Sequence, residues 1–162
     1  MCAELTPTKV LLVVHHTTSP SLQELLEAAL DGTHADGIEG VEVRVRPALA
    51  ATAVDVLAAD GFVLGTPANI GYMSGALKLF FDNVYYPTLT AKIGAPYGLY
   101  VHGTLDTTGA VRAVESITKG MGWERVHEPV LVMGAVGKDA TEAVWELAAT
   151  VAATVADIAG SS

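Results

Sequence analysis

Five times along this chain a short apolar run is followed by a stretch whose apolar residues recur at helical spacing. Val10–Val14 is a continuous apolar run, as expected of a strand covered on both faces. Ser19 can cap the next helix with Pro20 at its first position, and Leu22, Leu25, Leu26, Ala29 and Leu30 form its inward stripe. Val41–Arg46 alternates strictly and reads as an edge strand; Pro47 starts a loop, with a short helix at 52–59. Gly61–Gly65, Tyr97–His102 and Pro129–Met133 supply three further strands. Helices are expected at 74–85, 107–119 and 141–158, the last carrying Val144, Leu147, Ala148, Val151, Val155 and Ile158 on one stripe. Such β-α alternation predicts an α/β fold: a doubly wound five-stranded parallel sheet, order 2-1-3-4-5, with helices on both faces.

The 162 residues show no repeat or linker and read as one domain, large enough to bury a core without metal or disulfide. Cys2 is the single cysteine, so an internal disulfide is excluded, and a free terminal thiol suits a reducing, cytoplasmic setting. The net charge of −9 argues against nucleic acid or an anionic membrane as partner. No apolar run is long enough for a membrane span, and the Val10–Val14 run is too short for a signal-peptide core.

Ligands of such a sheet bind where the carboxyl ends of the strands diverge, so three loops matter most. They read His15-His-Thr-Thr-Ser-Pro-Ser21, Gly65-Thr-Pro-Ala-Asn-Ile-Gly-Tyr-Met-Ser-Gly75 and His102-Gly-Thr-Leu-Asp-Thr-Thr-Gly109. All are rich in hydroxyls and glycine, and none carries Lys or Arg. The opposite end carries ordinary charges such as Asp36, Glu39 and Glu124. In the first loop Thr17, Thr18, Ser19 and Ser21, with the unpaired N–H groups of a helix start, can hold a phosphate without a cation. The competing reading is a simple cap with solvated threonines. Adjacent His15 and His16 point to opposite faces and lack acidic or thiol partners nearby, so no metal site is expected. His16 is expected to donate to a ligand oxygen while His15 packs beside the sheet. His102 can play a similar part or sit half-buried and hydrogen-bonded. In the second loop Gly71 and Gly75 allow close backbone approach, and Asn69 offers an amide. Ile70, Tyr72 and Met73 offer apolar surface for a planar heterocycle, unless Tyr72 and Met73 fold back onto the core.

The stretch from Gly65 to Gly75, followed by Leu77-Lys-Leu-Phe-Phe-Asp-Asn-Val84, resembles the flavodoxin-like FMN oxidoreductases. It is most similar to the NADPH-dependent FMN reductases and the tryptophan-repressor-binding-protein type of quinone reductase. That resemblance implies FMN as cofactor, with its phosphate on His16, Thr17, Thr18, Ser19 and Ser21. The isoalloxazine would lie on Thr66, Pro67, Ala68, Asn69, Ile70, Gly71, Tyr72 and Met73. His102, Gly103 and Thr104, with Asp106 and Gly109, would close its far side. The chain departs from the flavodoxin phosphate-loop pattern: His16 stands for the first hydroxyl residue, Ser19 for the glycine, and Pro20 removes an N–H. It also lacks the long insertions of some relatives.

The resemblance implies hydride transfer from NADPH or NADH, with electrons passing to a quinone, free flavin or similar small-molecule acceptor. No protein acid is expected to be essential, though His102 or Tyr72 can steer the acceptor. The alternative is a flavodoxin-type electron carrier whose acidic surface guides it to redox partners. A receiver domain is excluded because the strand ends lack its acidic cluster, and no Walker loop, dinucleotide fingerprint or nucleophile elbow occurs. Phe80, Phe81, Tyr85 and Tyr86 crowd one helix and its exit; with at least one ring exposed, they suggest a homodimer.

Overall fold

A computed structural model describes residues 8–158. Cys2, on which the thiol argument rests, lies outside the described residues. The chain runs β1 (Lys9–His15), α1 (Pro20–Thr33), β2 (Val41–Pro47), α2 (Ala53–Ala58), β3 (Gly61–Asn69) and β4 (Tyr72–Met73). It continues through α3 (Gly75–Val84), β5 (Pro96–Gly103), α4 (Thr108–Gly120), β6 (Glu124–Arg125), β7 (Val130–Met133) and α5 (Lys138–Ala156). The parallel sheet is ordered β2-β1-β3-β5, with β6 and β7 both on the outer edge of β5. This is the expected 2-1-3-4-5 order, its last strand split in two.

Strand pleating divides the apolar residues between two cores. On one face Leu11 and Val13 of β1, Val63 of β3 and Tyr100 of β5 pack under α1 and α5. On the other, Leu12, Val14, Phe62, Leu64, Leu99 and Val101 meet Leu77, Phe80, Phe81 and Val114 of α3 and α4. Covering both faces explains why β1 and β3 are nearly unbroken apolar runs. The edge strand β2 stays partly exposed along most of its length, as its alternation predicts. Among the described residues no helix is long and apolar enough to cross a membrane.

Three local expectations are corrected. Residues 66–75 do not form an open loop: β3 runs on to Asn69 and pairs antiparallel with β4. Ile70 and Gly71 turn the hairpin with φ of 51° and 73°, the two-residue turn with both centres left-handed. Pro47 ends β2 rather than opening the loop. Helix α5 starts at Lys138, three residues early, because the Gly137 cap carries no side-chain signal. The aromatic group meets its expectation of at least one exposed ring: Phe80 and Phe81 are buried in the core, and Tyr86 stands well out, at 80% exposure.

Candidate functional site

The β1–α1 turn begins from a strand end fixed on both sides. The His16 N–H donates to the Gly65 carbonyl of β3, and the His15 carbonyl accepts from Ala48 beyond β2. Ser19 has extended backbone and its Oγ accepts from the Leu22 N–H at 3.2 Å, which leaves its own hydroxyl proton free to donate. Pro20 stands at the first helical position, as read from the sequence. Thr18 is exposed, while Thr17 and Ser21 are half-buried. His15 Nδ1 lies 2.8 Å from Thr17 Oγ1, which pins the start of the turn. On the opposite face His16 Nδ1 is buried without a hydrogen-bond partner, a costly state unless something else supplies one. Beneath the turn lies Tyr100, fully buried, its hydroxyl also partnerless and its ring laid across Gly65.

Burial, and secondarily the charge of His16, holds His15 below its usual imidazole value of 6.5. The unfolded chain therefore binds a proton before the folded one does. Stability must then fall as pH drops through about 6.5 towards the lowered folded value. Denaturation midpoints compared at about pH 7.5 and about pH 5.5 should show this loss, and His15→Gln should reduce it.

The β3–β4 hairpin presents its backbone and tip rather than every side chain assigned from sequence. Thr66 is fully buried; its Oγ1 accepts from the Ser74 N–H at 3.0 Å and donates to the Pro67 carbonyl at 2.8 Å. Met73 is 2% exposed in the α3-side core, and Pro67 is buried too. These three shape the hairpin: Met73 folds back onto the core, one of the two readings its sequence offered, and the Thr66 side chain is turned inward. Asn69, Ile70 and Tyr72 are exposed, while Ala68 and Gly71 are half-buried. Ile70 in left-handed backbone is unusual for a β-branched residue, and its side chain stands wholly in solvent.

The β5–α4 loop packs against that hairpin. A Cβ built on Gly109 would fall 1.9 Å from the Gly71 carbonyl oxygen, so only glycine permits this approach. One on Gly103 would lie 3.2 Å from Ala68 Cβ. Thr104 and Leu105 are exposed, Leu105 almost fully. Asp106 is turned to local work: its carboxylate accepts from the Thr108 N–H at 2.9 Å, which caps α4 and lowers its pKa. The side chain stays exposed at the loop. His102 Nε2 lies 2.7 Å from the Gly134 carbonyl. A carbonyl can only accept, so that nitrogen carries a proton. Gly134 was not identified from sequence; its left-handed φ of 74° is the signal of a tight turn beside the site.

The three loops thus converge at the carboxyl ends of β1, β3 and β5, neutral except for Asp106. Residues 23–136 match the family of NADPH-dependent FMN reductases. The chain belongs to that family. The matched region opens just after the β1–α1 turn, the part with the altered pattern. A flavodoxin from Aquifex aeolicus is 40% identical over 73 residues, covering 45% of this chain and 38% of its own. A geranylgeranylglyceryl phosphate synthase from Spirosoma linguale is 28% identical over 133 residues, covering 80% of this chain and 53% of its own. The chain therefore spans about half or less of the curated relatives it matches. Among solved structures, a WrbA-like flavodoxin from Agrobacterium tumefaciens superposes with a TM-score of 0.73 at 17% identity, over 91% of this chain and 98% of that one. A flavodoxin from Archaea gives 0.76 at 17% identity, over 90% and 98%. At such identity the structures establish the flavodoxin-like fold, and FMN is the group named in the family's description.

The residues fit such a group. The start of α1 offers the Thr18 and Ser19 hydroxyls, and the buried His16 Nδ1 lacks a partner. The exposed Ile70, Tyr72 and Leu105 form an apolar edge beside the Asn69 amide, the mixture a planar ring with a polar rim requires.

Proposed function

We propose that this protein is an NAD(P)H-dependent FMN oxidoreductase. The observation that carries the reading is the convergence of three hydroxyl- and glycine-rich loops, free of Lys and Arg, at the strand ends of a reductase-family chain. When bound, FMN would accept a hydride from NADPH or NADH, releasing the oxidised nicotinamide, and pass electrons to a quinone, free flavin or similar acceptor. The protein's part is to seat and orient it. Thr17, Thr18, Ser19 and Ser21 would donate to the phosphate together with N–H groups at the start of α1. The hairpin backbone from Ala68 to Gly71 would face the ring edge, and Ile70, Tyr72 and Leu105 would exclude water from it. His102, held by Gly134, and the exposed Tyr72 are placed to steer an acceptor.

Replacing Thr18 and Ser19 together by alanine should weaken FMN binding by about 1–3 kcal/mol through lost hydroxyl bonds. Losing the Ser19 cap should also lower the fold's stability by about 1 kcal/mol. Affinity unchanged in a flavin titration would place the phosphate elsewhere.

The second reading, an electron carrier, draws on the 40% identity to a flavodoxin and on the net charge of −9. Anaerobic addition of NADPH or NADH to the FMN-loaded protein separates the two. Immediate bleaching supports the reductase. No bleaching with either, together with salt-sensitive reduction by a partner reductase, supports the carrier. The exposed Tyr86 and Leu79 leave a homodimer through the α3 face as a further proposal, tested by native mass.

A further inference from the structure

A concavity lies on the outer side of α4, where it borders β7. It measures about 570 Å³ and is lined by Thr108, Val111, Arg112, Glu115 and Lys119 with Leu131. Its charge is out of keeping with the rest of this acidic chain. Arg44, Arg46, Lys78, Arg125 and Lys138 each sit on a carboxylate. Among the described residues Lys9, Lys92, Arg112 and Lys119 do not, and of these four Arg112 and Lys119 line this groove together. Glu115, which lies between them, is engaged by the Arg125 guanidinium, itself also paired with Glu128. Two uncommitted cations therefore share one helix face, seven residues or about 10 Å apart along the axis. Val111 and the half-exposed Leu131 give the groove an apolar wall suited to the flat face of a base.

Position ties this groove to the site. It begins at Thr108, and the neighbouring Gly109 touches the Gly71 carbonyl of the hairpin. The three site loops hold no Lys or Arg. A dinucleotide reaching out of the site past the β5–α4 loop would meet Arg112 in the second turn of α4. Guanidinium groups suit phosphate oxygens, and discrimination of a 2′-phosphate is commonly an arginine's task.

We propose that this groove binds the 2′-phosphorylated adenosine end of NADPH, with Arg112 and Lys119 as its phosphate ligands and Val111 and Leu131 against the base. The proposal rests on the reading that NAD(P)H is the hydride donor, and gives that reading a preference for NADPH.

The test is calorimetric titration of the full chain with adenosine 2′,5′-bisphosphate and, separately, with 5′-AMP. The bisphosphate should bind at least tenfold more tightly than 5′-AMP, and that advantage should disappear in the Arg112→Ala/Lys119→Ala double variant. Both side chains lie on the surface, so melting temperature and FMN affinity should stay at the wild-type values. Equal binding of the two nucleotides to the wild type, or a preference surviving in the double variant, overturns the proposal. Discrimination that is present and lost in the variant, in a protein whose FMN neither nicotinamide reduces, supports the groove and counts against the reductase reading alone.

Discussion

Gly109→Ala should destabilise the protein by about 3 kcal/mol, at the upper end of overpacking costs, and weaken FMN binding about tenfold. The added Cβ would lie 1.9 Å from a backbone oxygen, that of Gly71, which no rotamer change can move aside. Either α4 or the hairpin must then shift. The hairpin is the weaker party, because β4 has only two residues and pairs with β3 alone. Lifting it displaces Asn69, Ile70 and Tyr72, so the ring seat should suffer while the phosphate seat survives. Urea denaturation and a flavin titration on the same variant measure both effects. Gly75→Ala is the matched control: its Cβ meets nothing within 4 Å, and at the start of α3 alanine should be neutral or mildly stabilising. A variant at Gly109 that behaves like the control would mean the two loops do not meet.

Gly65→Ala should be comparably severe, again about 3 kcal/mol, for a reason on the other face. The new Cβ would sit 2.1 Å from Tyr100 Cζ, in a ring that is fully buried between the sheet and its helices. Gly65 also accepts the His16 N–H, so strain here reaches the phosphate turn directly. Tyr100→Phe alone should leave stability unchanged or slightly raised, because the lost hydroxyl has no hydrogen-bond partner. It should not rescue Gly65→Ala, since the clashing ring carbon remains. Tyr100→Leu should recover part of the loss, and a double-mutant cycle would then report a coupling of about 1 kcal/mol or more. Additive effects would show that the ring does not lie across Gly65.

Much of the architecture was legible because its signals are redundant. The apolar runs at Val10 and Gly61, the alternation from Val41 and the Ser19-Pro20 helix start each name an element through simple periodicity or capping. What stayed hidden depends on contacts distant in sequence. The hairpin escaped notice because its turn places Ile70, not Asn or Gly, in left-handed backbone. The split of the last strand into β6 and β7 carries no local signal, and neither does the bond from His102 to Gly134. Site side chains were harder still. In a strand that continues beyond its apolar run, pleating decides which residues turn inward. That is how Thr66 and Met73 come to build the hairpin from within. The α4 groove was invisible for a related reason. Arg112 and Lys119 look like ordinary surface charges until Glu115 is seen to be taken by Arg125.

The most direct test of the account is a titration of the purified protein with FMN, followed by absorbance and fluorescence, with riboflavin as the matched ligand lacking phosphate. The account predicts a perturbed flavin spectrum saturating at one FMN per chain, weaker binding of riboflavin, and an FMN affinity that falls towards the riboflavin value in the Thr18→Ala/Ser19→Ala variant. A spectrum identical to that of free FMN throughout, with no difference between the two flavins, would contradict it.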